Sequence, residues 1–159
     1  MKKKMIVMSI VAVQVILLLA GCTTNTQNNN NSNTNTNSNS ELQQNETDVR
    51  ISISNVSTSA KFYSYDSNGV TVRYFAVKDK QGNVHIAFDA CDVCYEAKKG
   101  YKQDGDVMQC INCGKTFSIT SIGTDNTAGG CWPSFLPMNI DGNDVVIKIT
   151  DLEAKSYMF

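Results

Sequence analysis

Polar and apolar residues alternate along much of the chain from residue 49 onward, a pattern typical of β-strands with one buried face. VTVRYFAVKD (residues 70–79) and VHIAFDA (84–90), separated by KQGN, predict a β-hairpin with Gly82 in its turn. No stretch of twelve residues repeats apolar positions with a helical period. The pattern therefore predicts a mainly β fold, a small antiparallel β domain. Further strands are expected at residues 49–56, 115–123 and 144–152.

The N-terminus departs from this alternation. Three lysines are followed by a mostly apolar run, residues 5–20, and then by Gly21 and Cys22. A basic head, an apolar core and a small-residue exit are the features of a secretory signal peptide, and LAGC at residues 19–22 resembles the lipobox of bacterial-type lipoproteins. We therefore predict a signal peptide over residues 1–21, lipidation at Cys22 and an extracytoplasmic, membrane-anchored protein. An uncleaved N-terminal anchor is the alternative.

The segment after Cys22 has a biased composition. Residues 23–40 are all Asn, Thr, Ser or Gln, which cannot bury enough apolar surface to offset the entropy of ordering. We predict a disordered linker up to residue 45, followed by one domain over residues 46–159. The chain has 14 basic and 15 acidic residues, and removal of the signal peptide leaves 11 against 15. With no basic cluster in the domain, nucleic acid is not expected as a partner.

Five cysteines follow Cys22, and two Cys-x-x-Cys pairs among them are separated by 15 residues. An odd count argues against a closed set of disulfides in an exported protein. A disulfide within a Cys-x-x-Cys motif is usually catalytic rather than structural, and the βαβ pattern of a thioredoxin-like protein is missing. Disulfides between the two pairs and dithiol exchange stay as alternatives. The five residues are Cys91, Cys94, Cys110, Cys113 and Cys131.

The spacing of the two pairs matches that of sites in which four thiolates bind one metal. Each two-residue spacer allows a tight turn that directs both sulfurs to one point, and Gly114 supplies the positive φ that such a turn needs. Soft thiolates select zinc, iron, copper(I) or iron–sulfur clusters. Neither pair is followed by His, so covalent c-type haem is not expected. Cys131, in TAGGCWPSFLP, is either a further ligand or a buried free thiol.

Several side chains near the cysteines carry weaker signals. His85 is the single histidine and points away from the apolar face of its strand, so we expect an ordinary side chain, with an outer metal ligand as the alternative. Asp89 and Asp92 flank the first pair and are expected to be solvated or to cap turns, although either carboxylate can accept a hydrogen bond beside a metal ligand. Packing roles are expected for Tyr101 and Trp132.

The order of these motifs resembles the FtrD-like domain, a family described as membrane iron–sulfur containing. The shared pattern reads A-x-D-A-C-x-x-C, G-Y, C-x-x-C-G, I-G and G-G-C-x-P. In this chain it occupies residues 87–94, 100–101, 110–114, 122–123 and 129–133. The resemblance implies a cysteine-ligated iron or iron–sulfur cluster outside the membrane, associated with iron transport or electron transfer. It implies ligand roles for Cys91, Cys94, Cys110, Cys113 and Cys131.

We therefore expect a lipoprotein whose metal-binding loops pass electrons or iron to a membrane partner, such as a permease or a redox protein. The sequence contains no convincing set of acid, base and nucleophile, so a stand-alone enzyme is not expected. Two alternatives come from other functional classes. One is a binding module stapled by zinc, and the other is a metallochaperone for copper or iron.

Overall fold

The computed structural model describes residues 43–45 and 47–159, and these residues form three small antiparallel sheets. The predicted signal peptide, Cys22 and most of the predicted linker lie outside them. In chain order the strands are β1 (Gln43–Asn45), β2 (Asp48–Ser52), β3 (Lys61–Ser67), β4 (Val70–Lys78), β5 (Val84–Cys91), β6 (Tyr101–Asp104), β7 (Val107–Cys110), β8 (Thr116–Ser118), β9 (Pro133–Phe135), β10 (Asn139–Asp141) and β11 (Asp144–Lys148). The prediction of a mainly antiparallel β fold is confirmed.

The central sheet, in the order β3-β4-β5-β9, is buried on both faces. Successive side chains of a strand point to opposite faces. Thus Val72 and Tyr74 of β4 enter one apolar cluster, whereas Phe75 and Val77 enter another. This two-sided burial explains why successive residues are buried in both strands, at residues 74–77 of β4 and at residues 86–91 of β5.

The outer sheets cover the two faces of the central sheet. The sheet β1-β2-β11-β10 supplies Val49, Ile51 and Val145 to the larger core. The sheet β6-β7-β8 supplies Met108 and Phe117 to the smaller core, which also contains buried cysteine side chains. The cysteines therefore belong to the packing of the second core.

The predicted β4–β5 hairpin is confirmed. Tyr74 pairs with Phe88 in its register, and the turn is closed by the Gly82 N–H, which donates to the Asp79 carbonyl at 3.1 Å. Gly82 has a φ of +90°, which glycine adopts without a Cβ penalty.

Three predicted strands are shorter than the sequence pattern indicated. β2 and β8 each end in a single 3-10 turn, at Ile53–Asn55 and Ile119–Ser121. The prediction of strand over residues 149–152 was wrong, because β11 gives way to the helix α1 (Ile149–Ala154). Ile149 and Leu152 both face the larger core there, since residues three apart share one side of a helix. Within the described part of the chain, no helix is long and apolar enough to cross a bilayer.

Candidate metal centre

Two strands from different sheets carry the cysteine pairs to the same place. β5 ends at Cys91 and β7 ends at Cys110, and the second cysteine of each pair lies in the turn that follows. Gly114 has the predicted positive φ, +75°, and its N–H donates to the Cys110 carbonyl at 2.9 Å. Because the central sheet and the β6-β7-β8 sheet share the second core, the two turns meet beside it.

The sulfurs of the five cysteines form one cluster. Cys131 Sγ lies 3.6 Å from the sulfurs of both Cys94 and Cys113. Two groups of three have all their sulfurs within 4.8 Å of one another, and Cys94 belongs to both. All five are free thiols, so the alternative of disulfides between the pairs is not what the structure contains. The groups are Cys91, Cys94 and Cys131, and Cys94, Cys110 and Cys113.

The spacing of these sulfurs fits a single thiolate-bound ion. Four sulfurs bonded to one tetrahedral ion at about 2.3 Å lie about 3.8 Å apart, and the two 3.6 Å contacts of the Cys131 sulfur are close to this value. A cluster of several irons and sulfides places its own atoms between the cysteines, so it requires these sulfurs to move apart.

Backbone N–H groups are directed at the Cys91 sulfur. Burial by itself would raise the pKa of this thiol, but hydrogen bonds from the N–H groups of Val93 and Cys94, from the Tyr101 hydroxyl and from the Trp132 N–H outweigh it and lower the pKa to about 7. Hydrogen bonds to the charged form stabilise that form. The first pair therefore provides one sulfur that readily becomes a thiolate near neutral pH.

The other sulfurs differ in their readiness to ionise. The Lys115 N–H lowers the pKa of the exposed Cys113 thiol. Burial raises the pKa of Cys110 to about 11 and, together with the neighbouring sulfurs, raises the pKa of Cys131 as well. Since a metal binds thiolates, loading this cluster with a metal must release protons.

Tyr101 closes the buried side of the cluster. Its ring packs against Phe75 and Phe117, which confirms the predicted packing role. Its buried hydroxyl lies beside the Cys91 sulfur, where it helps to lower the pKa of that thiol, and it has no other hydrogen-bond partner among the described residues. A thiolate accepts a hydrogen bond from such a hydroxyl, so this donor fits a ligand sulfur at Cys91.

Asp89 ties the two cysteine turns together. The expectation of a solvated carboxylate is wrong, because Asp89 is only 8% exposed. It accepts the Tyr101 N–H at 2.6 Å and the Arg73 Nε–H at 3.2 Å. Burial raises the pKa of Asp89, although both donors oppose the rise. Arg73 was not predicted from the sequence, although a cation between the buried residues Val72 and Tyr74 of β4 was a signal for it.

The segment that carries Cys131 is fastened to the first cysteine turn. Asn126 Nδ2 donates to Asp92 Oδ2 and to the Gly130 carbonyl, both at 3.0 Å. The Asp92 N–H donates to the Trp132 carbonyl at 3.0 Å, and the Trp132 ring packs edge-on against Phe117. Asp92 therefore holds the loop, and Trp132 has the predicted packing role.

His85 is outside the sulfur cluster. Its Nδ1 lies 3.0 Å from the Ile122 carbonyl, and its Nε2 lies 3.1 Å from Asp79 Oδ2. Both ring nitrogens are thus engaged by groups other than cysteine. This matches the ordinary, satisfied side chain expected from the sequence rather than an outer ligand.

A family model described as membrane iron-sulfur containing protein FtrD-like matches the chain. It spans residues 55–159 and so includes all five clustered cysteines. No curated protein matches the chain, and no solved structure matches it either.

Proposed function

Because the chain belongs to the FtrD-like family of membrane iron-sulfur containing proteins, we propose that its cysteine cluster binds iron and passes it to a partner in the membrane. One observation carries the proposal, namely the meeting of five free thiols in a cluster whose spacing suits one ion. Soft thiolates suit iron. Bound there, iron supplies a centre that can change oxidation state by one electron.

The accessibility of the cluster supports transfer. Cys113 is exposed, whereas Cys91 and Cys110 are 3% and 1% exposed. The two buried sulfurs anchor a bound ion in the core, and the exposed sulfur leaves one side open to a partner. The predicted signal peptide and lipidated Cys22 would tether the domain to a membrane, outside the cytoplasm, within reach of a membrane permease.

Electron transfer is the second candidate function, favoured by the N–H groups directed at sulfur. Such donors stabilise thiolates and tune the potential of iron bound to them. The Cys91 sulfur accepts three of these bonds from the backbone, and the Cys113 sulfur accepts one from Lys115. A permanently held iron with a reversible redox response would favour this candidate over iron transfer.

The direct test is anaerobic purification of the full chain in detergent, followed by metal analysis and absorption spectra before and after dithionite. We expect iron in stoichiometric amount and visible absorption that dithionite changes. A colourless protein with one zinc per chain and no redox response would instead support the zinc-stapled binding module. Stoichiometric copper would support a copper chaperone.

Substitution of ligands tests the location of the site. Cys94→Ser and Cys110→Ser should each abolish tight iron binding, because each removes a sulfur from a group of three close sulfurs. His85→Ala is the control and should leave binding near normal, since its ring contacts Asp79 and Ile122. Full iron occupancy in both cysteine variants would place the site elsewhere.

A further inference from the structure

The cluster contains one sulfur more than a tetrahedral ion can bind. The two Cys-x-x-Cys pairs provide four, the number that thiolate sites for zinc and iron use. Cys131 is the fifth, and it comes from a separate segment of the chain. Its sulfur lies 3.6 Å from the sulfur of the second cysteine of each pair. It therefore contacts two sulfurs of the four-sulfur set at once.

The contacts of Cys131 lie at the accessible side of the cluster. Cys91 and Cys110, the first cysteines of the pairs, are buried, whereas Cys94 and Cys131 are half-buried and Cys113 is exposed. The sulfurs of Cys94, Cys113 and Cys131 all lie within 4.8 Å of one another. These three sulfurs form the outer, solvent-accessible face of the cluster.

The backbone around Cys131 also differs from that of the pairs. Gly129 and Gly130 precede it with φ values of +72° and +80°, and a Cβ on either glycine would meet no atom within 4 Å. The sulfurs of Cys91 and Cys113 accept backbone N–H groups, whereas the contacts of the Cys131 sulfur are with other cysteine sulfurs. The backbone is held in place at Gly130 and Trp132, so an exchange at Cys131 takes place by rotation of its side chain.

We propose that Cys131 is an exchange ligand, a conclusion that rests on the proposed binding of a metal ion by the cluster. The ion is held by the two pairs, and Cys131 displaces Cys113 when the ion leaves. One metal–sulfur bond forms at Cys131 as the bond at Cys113 breaks. The proton of the Cys131 thiol passes to the Cys113 sulfur across their direct contact, and the oxidation state of the metal does not change.

This exchange identifies the chemistry of the receiving partner. Because one sulfur replaces another at each step, the ion always keeps at least three bound sulfurs. The next incoming ligand therefore competes for the position at the outer face. Such a ligand must itself be soft, namely a thiolate, a thioether or an imidazole. The partner is therefore a protein with cysteine, methionine or histidine at the solvent-accessible side of its own metal site.

Zinc is a suitable probe for the test, because it binds thiolates without redox chemistry. The full chain and its Cys131→Ser and Cys131→Ala variants are loaded with one equivalent of zinc under reducing conditions, and the transfer of zinc to a coloured chelator is followed with time. We expect one zinc per chain in all three proteins, and transfer at least tenfold slower in both variants. Circular dichroism checks that the variants are folded.

Each other outcome has a definite meaning. Equal transfer rates in the full chain and the two Cys131 variants would overturn the exchange role. Loss of stoichiometric zinc in folded Cys131 variants would also overturn it, because Cys131 would then be a permanent ligand. A second zinc bound by the unsubstituted chain would also overturn it. Absence of metal binding by the unsubstituted chain would instead refute the proposed function. Ser134→Ala, three residues along the chain from Cys131, is the control and should leave the transfer rate unchanged.

Discussion

Individual residues place the sulfurs, and Asp89 links the segments that carry the two cysteine pairs. Its carboxylate accepts the Tyr101 N–H, and the Gly100 carbonyl beside it accepts the Ile111 N–H from within the second pair. A chain of hydrogen bonds therefore runs from the strand that ends at Cys91 to the turn that begins at Cys110. Asp89 acts as a positioning residue for the cluster.

Gly100 is required at this junction, and its substitution is our prediction at the residue scale. Gly100 has a φ of +69°, and a Cβ there would lie 2.3 Å from Asp89 Oδ1. Gly100→Ala should destabilise the domain by about 3 kcal/mol, because it combines left-handed strain with overpacking. Urea unfolding measures the loss. Gly105→Ala, at a φ of +57° with nothing near its Cβ, should cost only about 1 kcal/mol. Equal losses in the two variants would contradict the role of Asp89.

At the scale of elements, hairpins serve as the rigid supports of the centre. The β4–β5 hairpin delivers the first pair and the β6–β7 hairpin delivers the second. The turn of the first hairpin is organised by Asp79, which accepts the N–H groups of Gln81 and Asn83 and contacts His85. His85 also contacts the Ile122 carbonyl, and this contact links the turn to the segment that leads towards Cys131.

The Asp79 turn predicts a loss of stability in acid. Hydrogen bonds from Asn83, and then from His85 and Gln81, lower the pKa of Asp79 to about 2 against the opposing effect of burial. A lowered pKa stabilises the fold above the ordinary value near 3.8, and this contribution is lost as the pH falls towards 2. Urea unfolding of the metal-free, reduced chain measures this effect. Between pH 5 and pH 2, the free energy of unfolding should fall less in Asp79→Asn than in the unsubstituted chain. Asp66→Asn, at the β3–β4 turn, should keep the full loss. Identical acid losses in all three proteins would contradict the assignment.

At the scale of the whole molecule, three sheets enclose two cores, and the cysteine cluster belongs to the smaller one. Cys91 and Cys110 pack with Phe75, Tyr101 and Met108. Binding of an ion would join the ends of strands from two sheets. Metal binding and the stability of this half of the domain should therefore be coupled.

Iron loading should raise the melting temperature of the domain. At a free iron(II) concentration about 100 times the dissociation constant, binding adds about 2.7 kcal/mol, which for a domain of this size corresponds to about 10 °C. Anaerobic calorimetry of the iron-loaded and the metal-free, reduced chain measures the difference. Cys94→Ser is the control and should show no shift. An unchanged melting temperature in the unsubstituted chain would argue against a metal shared by the two sheets.

The sequence predicted local features well where a local cause was sufficient. The β4–β5 hairpin followed from alternation and from Gly82, and the positive φ of Gly114 followed from the spacing of the second pair. It failed where packing overrode the local pattern. The alternation at residues 144–152 continues past Lys148, yet the core favours a helix that buries Leu152. The short strands β6, β7, β9 and β10 carried too few residues to give a periodic signal.

The sequence by itself determined the chemistry available to this protein: five thiols in a fixed order, with two-residue spacers that turn each pair of sulfurs towards a common point. The matching FtrD-like family model spans residues 55–159, which include all five of these thiols. Only the tertiary structure decided that Cys131 contacts both pairs, that His85 does not, and that Asp89 is buried between the two turns. The reason is physical. Spacing along the chain governs contacts within a turn, whereas contacts between segments depend on how three sheets pack around two cores.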